Sequence, residues 1–363
     1  MLKTVIFEEH AAPQRAGGIE AATQGLIASL AKVGVVVTRS FTDAEPVTGI
    51  VPDCVHIHGI WSPTLARRFI GWRQRGVPCV VTLHGMLEPW ALAHKALKKK
   101  LAWHLYQKRL LNLASALHAT SEREAANLRK LGLTPRIEMI PWGIELPEER
   151  NQRSEDDYRG VPVTVADSQP AIHNPQSTIH SSTRTALFVG RIFPVKGLPM
   201  LVEAWAILRP TGWRMRIVGP DEAGHLAEVQ DLVRKAGLEA DFEFTGPLGG
   251  EALQKVYEEA DLFILPSYTE NFGMVVVEAL SHGVPVIASN GTPWKGLLEH
   301  GCGWWPEISS DGIEKALQAA TSIDPKELRL MGMRGKHWVE RDFSWGQIAH
   351  RMADVYRSVQ KHV

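Results

Sequence analysis

The stretch that decides the fold is 262–278, which reads LFILPSYTENFGMVVVE. Four apolar residues at 262–265 predict a buried strand, and the loop after it carries Glu270 shortly before a helix is expected to begin, around Asn271 to Met274. A strand, a short loop and a helix form one unit of an alternating β/α chain, in which right-handed crossovers build a parallel sheet. The helix start offers free N–H groups and positive partial charge, which favour an anion.

The same alternation of strand and helix runs through both halves of the chain. In the first half, strands are predicted at 4–7, 35–39, 54–58, 79–82, 116–119 and 137–140, and helices at 21–32, 63–75 and 122–131. A second set begins at Ala186, with strands near 186–190, 214–218, 242–245, 262–265 and 284–288. The predicted fold class is therefore α/β, with two doubly wound domains whose ligand lies in the cleft at the carboxyl ends of their strands.

A chain of 363 residues exceeds the size at which a single core usually divides. The predicted division is a first domain over 1–147, a linker or insertion over 148–184, a second domain over 185–340, and a C-terminal helix over 341–363 that packs back on the first domain. Residues 148–184 are rich in polar residues and proline and lack sustained periodicity, which is typical of a linker.

Composition favours a soluble protein in a reducing, cytoplasmic compartment. No apolar run approaches the roughly 18 residues of a spanning helix. Glu8 and Glu9 follow the opening strand too closely for a secretory signal. The three cysteines, Cys54, Cys79 and Cys302, form neither a disulfide framework nor a paired metal spacing.

A second motif, VGRIFPVKG at 189–197, directly follows the first strand of the second domain. Arg191 can grip a diphosphate through two parallel hydrogen bonds, while Lys196 supplies a point charge. The loop is not a Walker A motif, and no Gly-x-Gly-x-x-Gly follows the opening strands. Triphosphate hydrolysis and hydride transfer therefore lack their usual sequence support.

Glu270 and Glu278 are eight residues apart, which corresponds to about 12 Å along a helix. That separation exceeds the roughly 5–9.5 Å of a glycosidase carboxylate pair. The two carboxylates are better placed to hold two hydroxyl-bearing parts of one long ligand, such as a sugar and a ribose. Two solvated glutamates, without a ligand, are the alternative.

These motifs resemble those of the retaining glycosyltransferases of the GT-B fold, and most closely the family-4 enzymes that build lipopolysaccharide and exopolysaccharide. The resemblance rests on the Gly-Arg to Lys-Gly motif at 190–197 and on Glu270-x7-Glu278, and it covers nearly the whole chain outside 148–184. Other similar segments are Gly17-Gly18, Thr82-Leu83-His84-Gly85, Ala119-Thr120-Ser121-Glu122 and Gly291-Thr292-Pro293-Trp294.

The resemblance implies a role for each matching residue. Arg191 and Lys196 would neutralise the donor diphosphate, and Glu278 would bind the ribose hydroxyls. The residues implied around the donor are Gly17 and Gly18 near the diphosphate, and Glu270 with the amides of Asn271, Phe272 and Gly273 near the sugar. His84 would lie by the reacting sugar, so that the predicted catalytic set is Glu270, His84, Arg191 and Lys196.

The predicted function is retaining, metal-independent transfer of a hexose from a nucleotide diphosphate sugar to a glycan acceptor, lipid-linked or free, in cell-surface polysaccharide biosynthesis. Arg191 and Lys196 would stabilise the negative charge that develops on the leaving phosphate. The alternatives are a sugar-nucleotide epimerase of the same fold and an inactive nucleotide-sugar binding module. Neither a cofactor nor a metal is expected.

Three alternating residues, Cys54, His56 and His58, could suggest a metal site on one strand. Ligands from a single strand give awkward tetrahedral geometry, so a metal is not expected there. His58, at the end of the strand before Gly59 and Trp61, is better suited to the acceptor side. Trp61 is placed on that side as well.

Residues 89–121 contain no acidic residue, and residues 1–150 carry a net charge of +6 against −6 for the remainder. The cations of this stretch are Lys95, Lys98, Lys99, Lys100, Lys108 and Arg109, and its apolar stripe at helical spacing is Trp103, Tyr106, Leu110 and Leu113. One interpretation is an amphipathic helix on the anionic inner face of the cytoplasmic membrane, contacted by Lys95, Lys98, Lys99 and Lys100. The other is a core-facing stripe with a solvated basic face. Nucleic acid is not expected, because the overall charge is balanced.

Overall fold

The computed structural model describes residues 2–8, 18–41, 51–93, 96–146 and 183–361. Gly17, Lys95 and residues 148–182 of the predicted linker lie outside these ranges. Two six-stranded parallel sheets with surrounding helices confirm the predicted α/β class with two Rossmann-like, doubly wound domains. The domain limits at 147, 184 and 340 stay predictions.

The first sheet has the strand order β2-β1-β3-β4-β5-β6. Its described strands are β1 (Leu2–Glu8), β2 (Val35–Phe41), β3 (Cys54–His58), β4 (Cys79–Thr82), β5 (Ala116–Ala119) and β6 (Ile137–Met139). The helices beside it are α1 (Gly18–Lys32), α2 (Pro63–Gln74), α3 (Pro89–Ala93), α4 (Ala96–Ala102), a π-helical segment (Trp103–Gln107), α5 (Lys108–Asn112) and α6 (Glu122–Lys130). Because β2 and β3 lie on opposite sides of β1, the strand order reverses there and a crevice opens at the carboxyl ends.

The second sheet has the order β12-β11-β10-β7-β8-β9. Its described strands are β7 (Arg184–Val189), β8 (Trp213–Val218), β9 (Phe242–Gly246), β10 (Leu262–Leu265), β11 (Val286–Ala288) and β12 (Gly303–Trp304). The helices that follow are α7 (Leu198–Leu208), α8 (His225–Lys235), α9 (Gly250–Glu258), α10 (Met274–Ser281), α11 (Gly296–Glu299), α12 (Ser310–Ser322), α13 (Pro325–Asp342) and α14 (Trp345–Gln360). Here the strand order reverses between β7 and β10, which are direct neighbours.

The central strands are buried along their whole length, as strands covered by helices on both faces must be. Their apolar runs explain why each predicted strand agrees with an observed one to within two residues at either end. The two-residue strand β12 was not predicted, because Gly303-Trp304 is too short to show a period.

The C-terminal helical stretch is divided in two at Phe343 and Ser344. Beyond the break, α14 crosses to the first sheet and packs against α1 and β3. Its Trp345 ring lies so close to Gly25 of α1 and to Gly143 that a β-carbon on either glycine would be 2.3 or 2.5 Å from it. Residues of both halves therefore share one hydrophobic core.

The basic helical stretch carries two apolar stripes. Trp103, Tyr106 and Leu110 pack against the core of the first sheet. On another face, Leu97, Leu101 and Leu105 are 86%, 62% and 70% exposed, and none of the residues of α4 is buried. The predicted stripe thus lies against the core except for Leu113, which is half-exposed. The exposed stripe of leucines was not predicted.

Substitution of Gly25 tests the contact between α14 and α1. Alanine normally favours a helix over glycine by roughly 0.5–1 kcal/mol, yet Gly25→Ala should lower the free energy of unfolding by about 1–3 kcal/mol because its methyl group meets Trp345. Gly71→Ala in α2, where nothing lies within 4 Å of the new methyl group, is the matched control and should stabilise. Urea unfolding of both variants measures the difference, and equal effects would contradict the contact.

Candidate active site

Two loops of the second sheet meet where its strand order reverses. The loop after β7 carries Lys196 and the loop after β10 carries Glu270, and their Nζ and Oε1 atoms are 2.5 Å apart. Ser267 donates a second hydrogen bond to the same oxygen at 2.8 Å. Both charged side chains are largely buried, with exposures of 13% and 14%. The sequence prediction that these two residues share a site agrees with this geometry.

Close backbone packing explains the glycines of the first loop. Gly197 has a φ of 70°, and a β-carbon there would lie 2.2 Å from the carbonyl oxygen of Pro266. The Tyr268 N–H donates to the Val195 carbonyl at 2.8 Å, which joins the two loops a second time. Lys196 therefore stands on a short 3₁₀ turn, Pro194–Lys196, that is held against the loop of Glu270.

The loop after β10 ends in an N-terminus suited to an anion. Gly273, with a φ of 84°, precedes the first residue of α10. Within the described chain, the backbone N–H groups of Asn271, Phe272 and Gly273 donate to no acceptor. The Trp294 indole donates to the Phe272 carbonyl at 2.6 Å and fixes the loop from behind. Free N–H groups at a helix start bind phosphate and other anions.

Glu278 lies one turn into α10, where Tyr257 of α9 donates a hydrogen bond to its Oε2 at 2.8 Å. Arg191 takes a different position from Lys196. Its guanidinium is 57% exposed and forms a salt bridge with Glu222. The structure therefore brings Lys196 and Glu270 together and leaves Arg191 at the rim.

His84 follows β4 in a left-handed conformation, with a φ of 51°. Its Nε2 lies 3.2 Å from Nδ1 of His58, and its ring stacks on Trp142 at a centroid distance of 5.6 Å. Burial lowers the pKa of His84 to about 3, since a charged imidazole would lose its hydration. The ring is therefore neutral near pH 7.

The two acceptor-side candidates have unequal exposure. His58 is only 4% exposed, and its Nδ1 also lies 3.4 Å from Thr23 of α1. Trp61 is half-buried and has a φ of 78°. Its backbone N–H donates to Oε1 of Gln107 at 3.1 Å, and its carbonyl accepts from the Tyr106 hydroxyl at 3.0 Å. The π-helical segment thus fixes the left-handed backbone of Trp61 through hydrogen bonds to its N–H and its carbonyl.

His56 belongs to a buried hydrogen-bond network. Its Nδ1 is 2.7 Å from the hydroxyl of Tyr356 on α14, and its Nε2 is 2.6 Å from Oγ1 of Thr82. His118 continues the network to Thr82 at 2.7 Å and to the Ile140 carbonyl at 2.7 Å. Among the described residues, no group of three His, Cys, Asp or Glu could hold a metal.

Two residues of the first half for which no role was predicted lie near the loop of Glu270: Thr120, which contacts it, and Glu124, which bonds Thr120. Asn271 donates to Thr120 at 3.0 Å. Glu124, only 2% exposed, accepts from the N–H groups of Gly85 at 2.7 Å and Thr120 at 2.8 Å. Burial raises the pKa of Glu124, and these hydrogen bonds oppose that shift. The signal available was the spacing of Ser121 and Glu124, which is that of a helix capping box.

The Ser121 hydroxyl does accept the Glu124 N–H at 3.2 Å, as a capping box requires. The carboxylate, however, bonds Gly85 and so fixes the turn that carries His84. Trp142, for which no role was predicted, stacks on the His84 ring and covers it.

Two family models match this chain. A model described as glycosyl transferases group 1 matches residues 171–338, and one described as a glycosyl transferase 4-like domain matches residues 37–143. A D-inositol 3-phosphate glycosyltransferase of Streptomyces griseus is 26% identical over 92% of this chain and 78% of its own length.

Solved structures show the same fold. Sucrose-phosphate synthase from Thermosynechococcus elongatus superposes with a TM-score of 0.75 at 21% identity, covering 100% of both chains. HepE of Anabaena, in complex with UDP and glucose, superposes with a TM-score of 0.71 at 17% identity, covering 99% of this chain and 100% of its own.

The buried histidines should make folding sensitive to acid. Burial lowers the pKa of His118 from 6.5 to about 4, so between these values the unfolded chain binds a proton that the folded chain does not. The free energy of unfolding should therefore fall as the pH drops below 6.5, with His118 alone accounting for about 2 kcal/mol at pH 5.

Urea unfolding from pH 7 to pH 5 measures this effect. The His118→Gln variant should be less stable than the wild type at pH 7 but should lose less stability on acidification. His350→Gln, at an exposed position of α14, should keep the wild-type slope. An unchanged slope in His118→Gln would contradict a neutral buried imidazole.

Proposed function

Since the chain belongs to the glycosyltransferases of the GT-B fold, we propose that it transfers a hexose from a nucleoside diphosphate sugar to a glycan with retention and without a metal ion. The observation that carries the proposal is the buried pair of Lys196 and Glu270, together with the free N–H groups of Asn271, Phe272 and Gly273 just before α10. Together they form a compact site for a diphosphate and its attached sugar.

Charge development favours this arrangement. Breaking the anomeric bond leaves negative charge on the phosphate, which Lys196 and the free N–H groups of residues 271–273 would stabilise. Arg191 would join them by exchanging its exposed partner Glu222 for the phosphate, at little cost because surface ion pairs are weak. In the proposed retaining reaction, the acceptor attacks from the face that the phosphate leaves, and the phosphate takes its proton.

His84 suits a position beside the reacting sugar because it is neutral. An imidazolium there would repel the positive charge that develops at the anomeric carbon, whereas a neutral ring can still bond a sugar hydroxyl. Its Nδ1 is buried and has no hydrogen-bond partner within the described chain, so a ligand hydroxyl could satisfy it. Trp61, rather than the buried His58, is the side chain open to an acceptor.

The first donor to test is UDP-glucose, because HepE was solved with it as well as with UDP. The second half would bind UDP, with Glu278 on the ribose. The inositol phosphate glycosyltransferases among the relatives make a phosphorylated polyol one acceptor class to screen. Release of UDP only when an acceptor is present would separate transfer from epimerisation and from binding alone.

Substitution of the cations tests the donor site. Lys196→Met should lower kcat/KM by about 10²-fold, a loss of about 2.7 kcal/mol of transition-state stabilisation, and Arg191→Met should act in the same direction. Glu270→Gln should mainly lower kcat, whereas Glu278→Gln should mainly raise KM for the donor. Coupled detection of released UDP measures all four variants.

Lys315→Met removes an exposed lysine of α12, which is paired with Asp311, and should leave the kinetics unchanged. Similar mild effects from the two glutamate variants would favour solvated carboxylates without a ligand. Activity that is lost in EDTA and restored by manganese would refute the metal-free reaction.

We also propose that the acceptor is lipid-linked and that the exposed stripe of Leu97, Leu101 and Leu105 rests on an anionic membrane. These leucines are four residues apart and lie among exposed lysines, including Lys98 and Lys100. That pattern is typical of helices that lie in the membrane interface. No helix of the described chain has the length and apolarity to cross a bilayer. Such contact would be peripheral, at the cytoplasmic face where cell-surface polysaccharides begin.

Vesicle sedimentation tests the membrane contact. Lys98→Glu with Lys100→Glu should weaken binding to phosphatidylserine vesicles by roughly tenfold or more, because each cation near the surface contributes about 1 kcal/mol. Leu97→Ser with Leu101→Ser should weaken binding even at high salt, where charge is screened. Lys99 is left intact because it bonds the Ala91 carbonyl.

Leu330→Ser, at a half-exposed leucine of α13 in the second half, is the control and should bind as the wild type does. Absence of binding at low salt would remove the membrane proposal and leave sugar transfer untouched.

A further inference from the structure

The side chain of Arg123 connects the two halves of the molecule at the active site. It lies in the first turn of α6 and reaches across to the loop of Glu270. Its Nη1 donates to the Gly291 carbonyl, and its Nη2 donates to the Glu270 carbonyl. The same Nη2 is 3.4 Å from the hydroxyl of Thr269.

The two carbonyls that Arg123 contacts belong to one backbone junction. The Glu270 N–H donates to the Gly291 carbonyl at 3.1 Å, which joins the loops after β10 and β11. Gly291 is tightly packed, since a β-carbon there would lie 2.2 Å from the carbonyl oxygen of Tyr268. Arg123, which belongs to the first half, therefore bonds both loops of this junction in the second half.

Arg123 is oriented from behind by a buried carboxylate. Glu88, 3% exposed, lies with its Oε2 at 3.8 Å from Nε of Arg123. Asn127 donates to both Glu88 oxygens, at 3.0 and 2.9 Å, and holds them in place. All three guanidinium nitrogens are thus engaged, two of them on the opposite half of the molecule.

We propose that Arg123 is a positioning residue that fixes the backbone of Glu270 when the cleft is closed. The side chain of Glu270 is held by Lys196 and Ser267 within its own half, but its carbonyl is held by Arg123 from the other half. The sugar-facing loop is therefore completed only when the two halves meet. The proposal rests on the proposed function in giving Glu270 the donor sugar as its ligand.

The planar fork of arginine is essential to this role. Two nitrogens of one rigid group reach two carbonyls while the third faces Glu88, whereas the single ammonium of lysine cannot make all three contacts. Arg123→Lys should therefore behave like Arg123→Met in positioning the loop, although it keeps the charge.

Hydrogen exchange of the ligand-free full chain tests the positioning directly. In Arg123→Met and Arg123→Lys, the hydrogen-bonded amides of Tyr268, Glu270, Asn290 and Thr292 should exchange faster than in the wild type, while those of α8 should not change. Arg129→Met, at an exposed position of the same helix, is the matched control and should exchange as the wild type does. Unchanged exchange at Tyr268 and Glu270 in both Arg123 variants would overturn the proposal.

Kinetics with UDP-glucose give a second readout. A displacement of about 1 Å at a reacting centre can cost about 10²-fold in rate, so kcat should fall by about that factor, with the affinity for UDP unchanged. Equal losses in UDP affinity and thermal stability would indicate a general structural role and overturn the proposal. If the wild type does not use UDP-glucose, the proposed donor fails, and the exchange experiment still decides the role of Arg123.

Discussion

The pairing of β7 with β10 is the constraint on which the candidate site depends. These strands are far apart in sequence but are direct neighbours, because the strand order of the second sheet reverses between them. Their carboxyl ends therefore release two loops into the same crevice. Lys196 and Glu270 meet there, and the lack of a side chain at Gly197 lets the first loop pack against the Pro266 carbonyl of the second. Without this pairing, neither the ion pair nor the open helix start beside it would form.

The first half contributes a different kind of chemistry, in which buried polar groups are held neutral. Burial lowers the pKa values of His56, His58, His84 and His118, and hydrogen bonds through Thr82 and Tyr356 satisfy much of this cluster. Such networks specify one geometry because a polar group left unpaired in the interior is costly. The network also reaches α14, where the Tyr356 hydroxyl lies 2.7 Å from Nδ1 of His56. The first half therefore contributes neutral histidines, and the second half contributes the charged pair of Lys196 and Glu270.

Several contacts at the candidate site join residues that are distant from one another in sequence. Glu124 has the spacing of a capping residue, yet its carboxylate fixes Gly85 and with it the turn of His84. Trp142 covers His84 from the segment after β6. Arg123 follows the same pattern, since its partners are two carbonyls that any sequence would provide. In each case the residue type is ordinary and its position is decisive.

The parallel α/β architecture and the strand positions could be predicted from the sequence, and the resemblance of its motifs to a known family predicted a shared site for Lys196 and Glu270. Apolar runs, turn glycines and charged residues at strand ends are local features, so they can be recognised in the sequence alone. The exposure of several side chains, by contrast, follows from tertiary packing. Arg191 stands at the rim and His58 is buried. Most of the predicted stripe on the basic stretch faces the core, while Leu97, Leu101 and Leu105 face outward. The direction in which such a side chain points depends on which elements pack beside it, and those elements lie tens or hundreds of residues away in the chain.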